Sequence, residues 1–323
     1  MQGFSRIAMI SQPLVSVIII FWNAARFLQE AIQSVLAQTY ANSELLLVDD
    51  GSNDGSTAIA RSYAVRDSQR IKYHQHSGHT NRGMSASRNL GLRYARGQYI
   101  AFLDADDVWF ANTLEEQVML LESHPQAAMI YGPIQWWYSW TGQPEDRERD
   151  YVESVGVPPN TVIQPPRLLS LFLRDKAAVP SGILVRRSII EQVGGFEEAF
   201  RGEYEDQVFC AKVCLSAPVF ASAQCWYRYR QHPDASVLTG QRTGTTRSAR
   251  LLFLNWLTRY LSEQKVKDGT VWRALSLEFW CFTHPRAFRL LRRGDSFMKR
   301  INGLLAQYQG ASRVHSAPAI DRW

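Results

Sequence analysis

Residues 14–22, LVSVIIIFW, run almost unbroken through apolar and β-branched side chains, the pattern of a strand buried on both faces of a parallel sheet. Phe27, Leu28, Ala31, Ile32, Val35 and Leu36 then recur at helical spacing, and residues 44–48, ELLLV, form a second apolar run. The alternation continues with a strand near 71–74, a helix over 85–95, a strand over 99–103 and a helix over 113–123. Such alternation predicts a doubly wound α/β sheet, mostly parallel. Ligands bind such sheets beyond the carboxyl ends of the strands. Two apolar runs end there in acid: DDGSNDGS at 49–56, where Ser56 is the expected helix cap, and DADD at 104–107.

Residues 131–166 are richer in Trp, Pro and charge and lose the periodicity, as an insertion would. Regular structure is expected again at 182–185, 188–193, 196–215 and 227–232. A joint rich in Gly, Thr and Arg at 239–248 separates a first domain, 1–238, from a helical appendage, 239–323.

Charge sharpens that division. The net charge of +6 resolves into 21 Lys/Arg against 25 Asp/Glu in residues 1–241 and 15 against 5 in residues 242–323. Residues 251–261 and 286–305 are amphipathic at helical spacing; Leu290, Leu291, Phe297, Met298, Ile301 and Leu304 oppose Arg289, Arg292, Arg293, Lys299 and Arg300. One reading is a helical subdomain packed through its apolar stripe with a solvated basic face. The sharper one is peripheral contact with anionic lipid through 242–323. No apolar run spans a bilayer and residues 1–13 lack a signal-peptide pattern, so a cytoplasmic location is expected, with a peripheral one at the inner face of the membrane as the variant. Cys210, Cys214, Cys225 and Cys281 lack metal-ligand spacing and read as buried thiols.

Three carboxylates within four residues, Asp104, Asp106 and Asp107, repel one another unless they cap turns, stay solvated or bind a cation. A Mg or Mn ion held by one or two carboxylates keeps open positions that prefer phosphate oxygens, which makes a nucleotide diphosphate its natural companion. Trp22 offers a flat face for a base, and Asp50 a carboxylate for a ring N–H such as that of uracil. Each alone reads more readily as a core aromatic or a turn residue.

Their conjunction resembles the family 2 glycosyltransferases of the GT-A fold. The resemblance rests on VSVIIIFWN (15–23), AIQSVLAQT (31–39), LVDDGSNDGS (47–56), NRGMSASRNLG (81–91) and GQYIAFLDADDVW (97–109), in the family's order and spacing, and extends over roughly 13–235. It implies an inverting, nucleotide-sugar-dependent enzyme, with the donor bound by roughly 13–110 and the acceptor side built from roughly 130–235. By position it implies donor contacts at Trp22, Asn23, Asp49, Asp50, Arg88, Asp104 and Ser181, with Arg88 near Asp50. Many members have Tyr where this chain has Trp22, which keeps a stacking face. Asp104 and Asp106 match the family's Asp-x-Asp motif and are the implied metal ligands, for Mn or Mg, with Asp107 as a further ligand or a support. His232, in a Tyr-Arg-x-His-like stretch, is the implied completion of the metal shell.

A sugar transfer also needs a base across the sugar from the leaving group. Glu205-Asp206 resembles the family's Glu-Asp pair, with Asp206 the expected base, Glu205 beside it and Glu203 in reserve; the alternative is a pair that complements a helix dipole. Trp136, Trp137, Tyr138 and Trp140 either face an acceptor sugar or fill a buried strand. His74, His76 and His79 straddle a strand end without a second ligand cluster, against zinc.

The expected partners are the donor and a carbohydrate, lipid-linked or protein acceptor. Nucleic acid is not among them, since a basic tail leaves the acidic turns unexplained. A dehydrogenase is disfavoured because Asn23-Ala-Ala-Arg26, not Gly-x-Gly-x-x-Gly, follows the first strand. A non-catalytic nucleotide-sugar binder of the same fold remains the alternative.

Overall fold

The computed structural model describes residues 12–284. The expected basic helix over 286–305 lies outside the described residues. The chain divides into two compact units, residues 1–275 and 276–323, and all the strands of the described residues belong to the first.

These strands are β1 Val15–Phe21, β2 Ser43–Asp49, β3 Ile71–Gln75, β4 Tyr99–Asp104, β5 Val108–Trp109, β6 Met129–Tyr131, β7 Ile134–Trp137, β8 Tyr151–Glu153, β9 Thr161–Ile163, β10 Leu184–Arg186, β11 Val219–Ala221 and β12 Tyr227–Arg230. Eight make one sheet in the order β3-β2-β1-β4-β10-β6-β11-β9, and four make a second in the order β5-β12-β7-β8. The β3-β2-β1-β4 half is parallel throughout, with Val15 opposite Ser43 and Tyr99. It is the parallel, doubly wound arrangement expected from the alternating pattern. β10 enters antiparallel between β4 and β6, so the sheet is mixed beyond β4.

All seven residues of β1 are buried, as are all seven of β2. That explains why neither strand alternates in polarity: helices cover both faces. At ~1.5–3 kcal/mol for each fully buried Val, Ile or Leu, these two strands anchor the core. The helix Leu28–Leu36 turns Leu28, Ala31, Ile32 and Val35 inward, and Thr113–Ser123 forms where expected. Gly91, on the helix Met84–Tyr94, lies so close to β1 that a Cβ there would stand 2.6 Å from the Ile18 side chain.

At the amino ends of the strands, away from the acidic turns, buried Glu44 accepts from Ser16 Oγ at 2.6 Å and from Arg96 Nε and Nη2 at 2.8 and 2.7 Å. Burial pushes its carboxyl up, but these donors outweigh that and hold it below the ordinary range.

Ser56 does not cap the second helix. It is the first residue of the helix Ser56–Arg66, and its Oγ accepts from the Ala24 N–H at 2.8 Å. Asp54 takes over, accepting from the Ser56 N–H at 2.9 Å and the Ala25 N–H at 3.1 Å. The hydroxyl thus joins the β1 and β2 exits, a use that local pattern does not reveal.

Candidate active site

The exits of β1, β2 and β4 carry most of the expected donor contacts. Trp22, the residue after β1, is 58% exposed and free to stack. Asn23 takes a left-handed φ of 51°, accepts from the Asn53 N–H at 2.8 Å and donates its own N–H to Ser52 Oγ at 3.0 Å. It is a stitch between two loops.

Asp49 and Asp50 have different employments. Asp49 is fully buried and accepts from Ser52 N, Thr57 Oγ1 and Tyr73 OH at 2.8, 2.5 and 3.0 Å, with His79 Nε2 at 3.1 Å. Burial raises its pKa, and the hydrogen bonds, Thr57 foremost, more than reverse that. Asp50 accepts from the Arg82 N–H at 2.7 Å and the Gly83 N–H at 3.0 Å, placing a negative charge at the start of the helix Met84–Tyr94. Gly83 has φ 91°, and a Cβ there would stand 2.7 Å from Arg201. The Met84 N–H also donates to Arg201 O at 2.9 Å. Backbone-to-backbone contact, which requires glycine, therefore ties this turn to the loop preceding Glu205.

Arg88 is bonded to neither of those acids. From the buried face of its helix it donates through Nη2 to Asp104 Oδ1 at 2.8 Å and through Nη1 to Glu205 in a very close pair. Burial disfavours the cation, but Glu205 and Asp104 dominate and raise its pKa. Glu205 is 4% exposed. Burial, opposed by Arg88 and assisted by Asp206, pushes it up to about 7.

Asp206 follows at the start of the helix Glu205–Ser216, exposed, with Oδ1 accepting from the Gln207 N–H at 2.7 Å. Although open to solvent, it stands in a recess that strips hydration, and its pKa is raised by that loss, with Arg88 opposing. One recess gathers Arg88, Asp104, Ser181, Glu205, Asp206 and Tyr227. Trp22, Asp50 and His232 do not line it. Ser181 Oγ donates to the Val179 carbonyl at 3.3 Å, and Gly182, at φ 57°, leaves room only for hydrogen against the Tyr227 ring. Glu203, the reserve base, is engaged by Thr245 Oγ1 at 3.3 Å.

The Asp104–Asp107 cluster separates into three environments. Asp104 is 46% exposed, and its carboxyl is raised by loss of hydration and by Asp106, against Arg88. Asp106 meets His232 Nε2 at 2.9 Å. Asp107 is buried and accepts from the Arg230 N–H at 2.8 Å; burial, then Asp106 and Asp104, push it far up.

No group of three metal-ligating side chains converges among the described residues. Asp106 and His232 form a mixed oxygen and nitrogen pair, and His232 Nδ1 is buried without a partner among the described residues. That donor set fits a divalent ion that takes its other ligands from a diphosphate and water. The three histidines of the β3 exit disperse: His74 stacks on Tyr94, His76 meets Ser87 Oγ at 2.9 Å, and His79 meets Asp49.

The tryptophan-rich stretch builds the second sheet and its flank. Trp136 stacks on Tyr151 with centroids 5.7 Å apart, while Trp137 and Trp140 lie against arginines. The three tryptophans are half-buried.

Residues that sequence reasoning passes over include Phe27, Glu30, Tyr227 and Arg230. For Tyr227 and Arg230 the signal is the period-two alternation of Tyr and Arg in Tyr227–Arg230, a strand that presents its two arginines on one face, whereas Phe27 shows only as a helix-spaced apolar position and Glu30 carries no signal.

The profile of Glycosyl transferase family 2 matches residues 16–194, more than half the chain. EpsE of Bacillus subtilis (strain 168), which carries the name of a glycosyltransferase, is 48% identical over 114 residues, 35% of this chain and 40% of that one. The chain thus spans less than half the length of that curated relative. Among solved structures, S. aureus TarS 1-349 in complex with UDP-GlcNAc superposes with a TM-score of 0.56 at 21% identity, over 69% of this chain and 60% of that one. The mannosyltransferase PcManGT from Pyrobaculum calidifontis, in complex with GDP-Man and Mn2+, gives 0.57 at 18% identity, over 93% and 82%. At such identities the two structures bear on fold, which is shared.

Proposed function

The chain belongs to glycosyl transferase family 2, and from that premise we propose that it moves a sugar from a nucleotide-diphosphate sugar to an acceptor hydroxyl with inversion. The observation that carries this reading is the recess in which Arg88 joins Asp104, on the donor strand, to Glu205, next to Asp206.

In this reading Asp206 accepts the proton of the acceptor hydroxyl as its oxygen attacks the anomeric carbon. The bond from that carbon to the diphosphate breaks, and the nucleotide diphosphate leaves with the electron pair. Arg88 faces the recess with a fixed positive charge and keeps two carboxylates apart in one place. Asp106 and His232 would hold a Mn or Mg ion, which when bound neutralises charge on the departing diphosphate. Trp22 stacks on the base, with Asn23, Asp49, Asp50 and Ser181 shaping the donor site. The acceptor is a carbohydrate, lipid-linked or protein hydroxyl, met along residues 130–235, and the setting we favour is synthesis of cell-surface polysaccharide or glycoconjugate. Residues 239–275, expected in a separate appendage, belong to the first compact unit, and lipid contact is the role proposed for the basic stretch 242–323. Among the described residues no helix is long and apolar enough to cross a membrane.

A uridine diphosphate sugar is the favoured donor. A thermal-shift panel of UDP-, GDP- and dTDP-sugars with and without Mn or Mg tests it, since a ligand at a hundred times its Kd stabilises by about 2.7 kcal/mol. A metal-dependent shift with UDP-sugars is expected; no preferred nucleotide under any condition sinks the reading. Trp22→Ala should weaken nucleotide binding about tenfold, as loss of one stacked base costs ~1–3 kcal/mol. Calorimetry that finds unchanged affinity removes Trp22 from the site.

A further inference from the structure

Arg230 closes β12 with a side chain only 3% exposed. Its Nε donates to the Asp106 carbonyl at 2.6 Å, its backbone N–H to Asp107 Oδ1 at 2.8 Å, and its Nη2 to Glu30 Oε2 at 2.6 Å. The guanidinium lies 4.4 Å from the Trp137 ring, 4.7 Å from Phe27 and 5.3 Å from Trp140.

Stability does not account for an arginine here. Glu30 is 53% exposed, and a pair so open to water contributes about 0–1 kcal/mol. Against this stands the cost of desolvating the guanidinium, and an apolar side chain of similar volume packs among three rings at least as well. What an apolar side chain cannot do is donate to a carbonyl. That donation reaches the residue of the acidic turn whose carboxylate is also held from beyond the end of β12, by His232.

The acidic turn is gripped at three points by one short segment. Arg230 Nε holds the main chain of Asp106, Arg230 N holds the side chain of Asp107, and His232 Nε2 holds the side chain of Asp106. β12 also pairs with β5, with Tyr227 opposite Trp109 and Arg228 opposite Val108, which fixes the turn's downstream end. On its other edge β12 pairs with β7, Arg230 lying opposite Trp137.

We propose that Arg230 is a positioning residue for the transfer described above: by holding the Asp106 peptide against the Phe27, Trp137 and Trp140 wall, it sets the direction in which the Asp106 carboxylate leaves its turn. The proposal rests on the transferase reading for its purpose but not for its test. Because the same guanidinium stacks on the wall, the wall and the turn move as one body.

The ligand-free full chain decides it. Arg230→Met, Arg230→Lys and Glu30→Gln are compared with the parent by ring-nitrogen NMR of His232, assigned through His232→Gln, at temperatures well below each melting point. Arg230→Met is expected to shift the His232 Nε2 signal as Asp106 leaves it. Lysine, a point charge without the planar fork, restores the signal in part. Glu30→Gln leaves it in place. In transfer assays Arg230→Met should lose about a hundredfold in kcat/KM, the scale of an ångström's misplacement, with lysine recovering part of that. A folded Arg230→Met with the parent's His232 signal overturns the proposal, as does a Glu30→Gln effect equal to that of methionine. Should methionine fail to fold, the lysine variant carries the same comparison, and an unshifted signal there overturns it. A parent that makes no product refutes the transferase reading, while the His232 signal still decides the role of Arg230.

Discussion

Asp206→Asn is expected to bind the donor as the parent does and to lose about 10²- to 10⁴-fold in kcat, the usual contribution of a positioned base. The substitution keeps the shape of a side chain that is exposed at the lip of the recess and, among the described residues, is bonded to its neighbour's N–H. Its structural cost is confined to the helix start, where a carboxylate is worth ~0.3–1 kcal/mol. Loss of stability therefore cannot imitate loss of turnover. The pH profile adds an independent sign. The Asp206 pKa is raised by loss of hydration in the recess, so the base is lost to protonation at a higher pH than an ordinary aspartate, whose pKa is about 3.9. The parent's acid limb in kcat should sit correspondingly high, and Asp206→Asn should abolish it. Product formation at the parental rate by Asp206→Asn removes the base assignment. Unaltered donor binding with no product from the parent in any acceptor screen favours the non-catalytic binder.

Arg88→Met should be the most destabilising single change in the site, by about 3–5 kcal/mol at pH 8 in denaturant melts, because it leaves Glu205 buried without its partner. The penalty has a pH sign. Glu205 already sits at about 7 with Arg88 present and is pushed higher without it, so a proton neutralises the orphan as pH falls. The difference from the parent should shrink from pH 8 toward pH 6. Adding Glu205→Gln should recover much of the loss, since a neutral amide is cheaper to bury than an unpaired charge. A single variant within about 1 kcal/mol of the parent at pH 8, the range of an exposed pair, would show that the bridge supports little of the fold.

The sheet's first half was legible in the chain. The apolar run at 14–22 became Val15–Phe21, and the helix at 113–123 formed as Thr113–Ser123, because burial on both faces and helical period are local signals. The antiparallel entry of β10 was not legible: Leu184–Arg186 is three residues long, and its direction is set by its neighbours β4 and β6. Carboxylates at strand ends were visible, but their partners were not. Asp49 and Asp50 are adjacent and chemically alike, yet one takes four side-chain and backbone donors and the other the N–H groups of residues 82 and 83. Arg88, expected near Asp50, has as its bonded partners Asp104 and Glu205, the latter 117 positions away. Such pairings depend on which loops the sheet order brings together, and no window of sequence contains that information.

Gly83 carries a consequence for anyone who would re-engineer the chain. One peptide unit supports Asp50 with its N–H, while the glycine's missing side chain lets the backbone of Arg201 approach. The segment that supports Asp50 and the segment leading into Asp206 are fastened here, and again where Arg201 donates to the Asn81 carbonyl, where Asn89 and Phe196 exchange hydrogen bonds, and where Arg88 meets Glu205. The two halves are not interchangeable parts. A chimera that takes residues 130–235 from a relative will inherit a loop cut for a different seam unless positions 81–89 travel with it, and under the proposed assignment swapping that half alone should cost donor affinity as well as acceptor choice.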